Sequence, residues 1–111
     1  MANVRLVMDV EVQAGNQTAA SYAQPGLWEL LDELPKASRP RFVRGDCNWG
    51  TERAMEGCED RQIPYLCKLK QSVNVKKLIA KLFRHEDWIE AGQTWQGLDT
   101  ELQLKGWSAK R

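Results

Sequence analysis

Short apolar runs alternate with amphipathic helical stretches along this chain, and that order constrains its fold more than any other feature. Val4, Leu6, Met8, Val10 and Val12 fall on one face of an extended segment, with Arg5, Asp9, Glu11 and Gln13 on the other. Period-two alternation of this kind predicts a strand with one wet face, antiparallel or at a sheet edge. Ala14-Gly15-Asn16-Gln17 ends it. Leu27, Leu30, Leu31 and Leu34 then follow helical spacing, and the sequence predicts a helix entered through Pro25 and stopped at Pro35. A second strand is expected over Arg41 to Asp46. Thr51 reads as the N-cap of a second helix carrying Ala54, Met55 and Cys58, with Glu52 at the positive end of its dipole.

Ile63, Tyr65, Cys67 and Leu69 alternate with Leu66, Lys68 and Lys70, which predicts a third strand. Asn74 reads as the cap of a third helix with Val75, Leu78, Ile79, Leu82 and Phe83 on its apolar stripe. A late strand is expected where Leu98, Leu102 and Leu104 alternate with polar residues, with Trp95 and Trp107 anchoring it to the body. Strand, helix, strand, helix, strand is an α/β layer pattern with a further β segment appended.

At 111 residues the chain accommodates one domain with a real core. Its 42% hydrophobic and 28% charged residues are ordinary for a globular protein. No apolar run nears the ~20 residues of a membrane span, so no membrane partner is expected. Cys47, Cys58 and Cys67 are odd in number and lack the paired spacing of a zinc site, which fits a reducing cytoplasm. With His85 as the one histidine, a His-based metal centre or a Ser-His-Asp triad is disfavoured.

The net charge of +1 conceals an uneven distribution. Residues 36–84 carry twelve Lys/Arg against five Asp/Glu, and the rest of the chain carries four against ten. Lys68, Lys70, Lys76, Lys77, Lys81 and Arg84 lie in a stretch, residues 66–84, that has no acid at all. This block suits a polyanion such as DNA; solvated helix faces and lysine-guarded sheet edges produce the same pattern.

Asp46 closes the run Arg41-Phe42-Val43-Arg44-Gly45-Asp46 just before Cys47-Asn48-Trp49-Gly50-Thr51. A carboxylate there stands where a strand gives way to a helix, the end of an α/β sheet at which ligands gather. It could instead cap the following helix or pair with Arg44. Trp49 could stack on an unpaired base or simply pack in the turn.

Taken in order, Arg5-Leu-Val-Met-Asp-Val-Glu-Val, Ala14-Gly-Asn-Gln-Thr-Ala-Ala-Ser-Tyr-Ala, Val43-Arg-Gly-Asp46-Cys, Ile63-Pro-Tyr-Leu-Cys-Lys-Leu-Lys70, Trp95-Gln-Gly-Leu and Leu104-Lys-Gly-Trp107-Ser resemble one family. It is the DDE-type insertion-sequence transposases of bacteria, whose catalytic domain has a ribonuclease-H-like fold. The resemblance implies a mixed sheet with flanking helices, on which two Asp and one Glu hold two Mg²⁺ or Mn²⁺ ions. Asp46 matches the second Asp, which implies a catalytic role as metal ligand. Two metals then activate the attacking oxygen and stabilise the leaving oxygen at phosphorus.

The first Asp of the family lies upstream of the segment matching Arg5 to Gln13, and the Glu lies downstream of the segment beginning at Trp95. Neither segment is in this sequence. The chain is therefore expected to be one partial domain over residues 1–111, with residues 94–111 opening an inserted β segment. Whether it is an enzyme stays open at this point: the parent would cut and join DNA, while this piece should bind no metal and be inactive. A non-catalytic nucleic-acid-binding or oligomerisation module is the alternative. The sheet implied by the family would lack its central strand here, so unpaired edges predict a homo-oligomer.

Overall fold

The computed structural model describes residues 7, 8, 10, 12, 14–16 and 18–111. The chain has mixed helix and strand, broadly α/β, and divides into two compact units, Met1–Cys67 and Lys68–Arg111. The sequence alone reads as a single partial domain. The predicted strand over residues 4–12 falls largely outside the described residues. Its described members Val7, Met8, Val10 and Val12 carry no strand assignment and are exposed.

In the first unit, helix α1 spans Ala19–Glu33, so it starts well before the Pro25 entry read from the sequence. Thr18 supplies the reason: its hydroxyl oxygen accepts the Ser21 N–H at 3.3 Å, meeting a donor that the first turn leaves unpaired. Ala19, Ala20 and Ala23 then carry the helix up to the proline. Pro25 sits inside the helix and is exposed; lacking an N–H, it leaves one carbonyl of the preceding turn without its intrahelical donor. The chain leaves α1 through Leu34 and Pro35 and makes one 3₁₀ turn over Lys36–Ser38.

Strand β1, Val43–Gly45, leads into helix α2, Glu52–Glu59, and on to strand β2, Tyr65–Cys67. The two strands pair in parallel, with Val43 opposite Tyr65 and Gly45 opposite Cys67. Thr51 caps α2 as expected, accepting the Ala54 N–H at 3.3 Å. The helix buries Ala54, Met55, Gly57 and Cys58. With Ala20, Leu31 and Ile63 these side chains form a core of small and medium residues. Val43, Gly45, Tyr65 and Cys67 are half-buried, whereas Arg44 and Leu66 point outward.

The second unit begins with helix α3, Val73–Leu82. Its N-cap is Ser72, whose hydroxyl oxygen accepts the Val75 N–H at 3.4 Å, and Asn74 lies inside the first turn. Ser72 takes the role because its backbone is extended where the helix begins. Val75, Leu78 and Leu82 join Leu69 and Leu102 around an apolar cavity of about 480 Å³.

Strands β3, Ile89–Glu90, and β4, Gln96–Gly97, form an antiparallel pair. The connecting turn holds Gly92, Gln93 and Thr94 at positive φ. The late antiparallel segment thus lies earlier than the Leu98–Leu104 strand read from the sequence. Leu98, Leu102 and Leu104 are half-buried and Asp99, Glu101 and Gln103 exposed, so the alternation correctly reports which side is covered. It forms no ladder, because the returning chain turns at Gly106 and gives Leu102 one partner: Leu102 and Arg111 exchange N–H···O bonds at 2.7 and 2.9 Å. Trp107 is half-buried, but Trp95 is 73% exposed and does not anchor this segment.

Candidate functional site

Asp46 directly follows Gly45, the last residue of β1, at the carboxyl end of the parallel pair. One carboxylate oxygen, Oδ1, accepts the Asn48 N–H at 2.9 Å, and the Asp46 carbonyl accepts the Trp49 N–H at 3.1 Å. The residue therefore builds the turn from β1 toward α2, as short polar side chains do when they bond backbone two residues on. Its second oxygen has no hydrogen-bond partner among the described residues, and the side chain is exposed. Asp46 makes no ion pair with Arg44 among the described residues.

Gly45 allows this turn to be so tight. A Cβ there would stand 2.5 Å from the Cβ of Trp49, which lies half-buried across the strand end. The near end of the Trp49 side chain thus packs on Gly45.

Among the described residues no group of three His, Cys, Asp or Glu could hold a metal ion. Asp46 is a single carboxylate, whereas a two-metal centre is built from several ligands converging from different parts of a chain. The described residues do not by themselves assemble such a centre. Burial pushes the Cys58 and Cys67 thiols above their ordinary range, which disfavours their thiolates.

In the second unit, Lys68 and Lys70 lie on the extended segment ahead of α3, Lys76, Lys77 and Lys81 on α3, and Arg84 in the turn after it. All six are exposed, and none is in an ion pair among the described residues. Lys77 and Lys81 are one turn apart and Lys76 lies about 100° round the helix from Lys77. They share the polar side of α3, opposite the stripe of Val75, Leu78 and Leu82.

The sequence did not point to the polar cluster that joins α1 to the end of α2. Arg61 Nε donates to Asp32 Oδ1 at 2.9 Å and its Nη2 to Asp32 Oδ2 at 2.6 Å, a bidentate pair. Arg61 Nη1 also donates to the Gly57 carbonyl at 2.9 Å, and its guanidinium lies 4.9 Å from the Trp28 ring centroid. Arg39 approaches the same carboxylate at 3.8 Å. The Arg61 hydrogen bonds hold the Asp32 carboxyl below its ordinary range. No periodicity links residues 29 positions apart, so only the fold reveals the cluster.

No protein-family model, curated protein or solved structure matches this chain. No helix among the described residues is long and apolar enough to cross a membrane.

Proposed function

We propose that the chain is the middle part of a DDE-type transposase catalytic domain with a ribonuclease-H-like fold. In the complete protein Asp46 is a ligand of Mg²⁺ or Mn²⁺ during cleavage and joining of insertion-sequence DNA. The observation that carries this reading is the position of Asp46 at the carboxyl end of the parallel β1–β2 pair, where α/β folds collect their chemistry. Its second oxygen remains available to a ligand. The ordered run of resembling segments in the sequence supports the same reading. With one such carboxylate, the chain alone does not cut DNA.

Two measurements test this. Sequencing the DNA on both sides of the reading frame should restore an upstream Asp and a downstream Glu codon, bounded by inverted repeats; unrelated flanks would refute the parentage. The purified chain should leave supercoiled DNA intact in Mg²⁺ or Mn²⁺, and cleavage that vanishes in Asp46→Ala would overturn the claim that it is inactive alone.

The second reading is a non-catalytic DNA-binding or assembly module, favoured by the six exposed cations of residues 68–84. Each phosphate they neutralise should contribute about −0.9 to the slope of log affinity against log salt. Replacing Lys68, Lys70, Lys76, Lys77 and Lys81 with Glu should abolish binding while the circular dichroism spectrum is kept. Unchanged affinity would remove DNA from the partners of this face.

A further inference from the structure

A second basic feature lies in the first unit. Lys36, Arg39, Arg41 and Arg61 line a cavity of about 380 Å³ whose only carboxylates among the described residues are Asp32 and Asp60. A concavity of that size is within the range of about 300–1,000 Å³ typical of small-molecule sites. Its cations come from separate segments: the 3₁₀ turn, the loop ahead of β1 and the connection after α2.

The charges divide into two groups. Arg61 and Asp32 neutralise each other in the bidentate pair, so neither contributes net field at the cavity. Arg39 uses Nε on the Leu34 carbonyl at 3.4 Å and Nη2 on the Asp32 carbonyl at 3.5 Å. Its Nη2 also stands 3.8 Å from Asp32 Oδ1, and these long contacts orient the guanidinium with Nη1 left over. Lys36 and Arg41 are exposed and engage no side-chain partner among the described residues. Three cations therefore face the cavity against Asp60 alone, an excess of two positive charges.

Asp32 carries a single negative charge, so Arg61 and Arg39 around it together with Lys36 and Arg41 exceed what that carboxylate neutralises. Two surplus charges lining one concave surface, one of them on a guanidinium bonded to backbone carbonyls, match a doubly charged tetrahedral anion. We propose that this cavity binds a phosphate group, with Arg39 as the fixed donor and Lys36 and Arg41 closing on the remaining oxygens. This site is independent of Asp46 and of the basic face of α3.

The test is a titration of the ¹⁵N-labelled chain with inorganic phosphate, followed by amide shifts, against sodium chloride at matched ionic strength. Saturable shifts at residues 36–41 and 61–63 are expected with phosphate and not with chloride. The variant K36A/R41A should weaken phosphate binding at least tenfold while keeping its melting temperature. If that variant does not fold, Arg41→Ala alone, at an exposed position, should weaken it several-fold. Two further arms identify the carrier: competition by a nucleoside 5′-monophosphate assigns a small phosphomonoester, and competition by short duplex DNA assigns a nucleic-acid backbone, both in support of a phosphate site. Equal shifts with chloride, or undiminished binding in the folded variants, would overturn the proposal.

Discussion

Replacing Gly57 with alanine tests how the first unit is held together. By helix propensity alone the change should help, since alanine in a helix interior is favoured over glycine by about 1 kcal/mol. Its surroundings argue the opposite. A Cβ at position 57 would lie 2.4 Å from Trp28 Cζ2, 2.6 Å from Cε2 and 2.9 Å from Cη2. Carbon atoms are comfortable at about 3.5–4.0 Å, so the indole must retreat by about 1 Å. The ring cannot swing freely, because the Arg61 guanidinium is stacked on it and is itself tied to Asp32 and to the Gly57 carbonyl.

Overpacking of this kind costs about 1–3 kcal/mol, so after the propensity gain the expected net destabilisation runs up to about 2 kcal/mol. In a domain of 60–100 residues each kcal/mol lowers the melting temperature by about 4–8 °C. Urea and thermal unfolding followed by far-ultraviolet circular dichroism reads this directly. The control is Gly57→Ala in a Trp28→Ala background. With the obstacle removed, the alanine should stabilise by up to about 1 kcal/mol relative to Trp28→Ala. A higher melting temperature for Gly57→Ala alone would refute the argument, as would equal effects in the two backgrounds.

Asp32 gives a pH signature. Its carboxyl is held below the ordinary value of 3.8, chiefly by the Arg61 hydrogen bonds, so its stabilisation is present above that range and lost as the pH falls through the lowered folded value. Asp32→Asn should flatten that acid limb of the melting curve, and an identical limb in the variant would exclude Asp32 as its source. The thiols should separate by burial: Cys47, exposed, reacts first with a thiol reagent, and Cys58, 4% exposed, reacts only on unfolding. Rapid labelling of Cys58 in the folded chain would contradict the packing of α2. The outward Leu66 of β2 and Phe42 just before β1, 59% and 52% exposed, flank a sheet that has only two strands among the described residues. Self-association is therefore expected, and light scattering that finds a single 12.7 kDa species at micromolar concentration would rule it out.

Local chemistry was readable without a structure. Thr51 was identifiable as a cap because it precedes Glu52 and an apolar helical stripe, and the structure has it accepting the Ala54 N–H. Tyr65–Cys67 emerged as a strand from its alternation and Val43–Gly45 from the short run ending at Asp46, both trimmed to the three residues that pair. The placement of Asp46 just past a strand end was likewise legible, since it needs only that strand and the turn signals after it.

What escaped the sequence depended on partners far along the chain. The start of α1 was missed because Pro25 is a strong local signal, and the helix tolerates it where its ring faces solvent. The Leu98–Leu104 alternation gave the covered side correctly but not the strand, since a strand exists only where a neighbour offers its backbone, and here Arg111 alone does so. Gly57 reads as a helix weakness until Trp28, 29 residues away, is seen lying against it. Sequence periodicity records which side of a segment is buried; which residue it is buried against is decided only when the chain closes on itself.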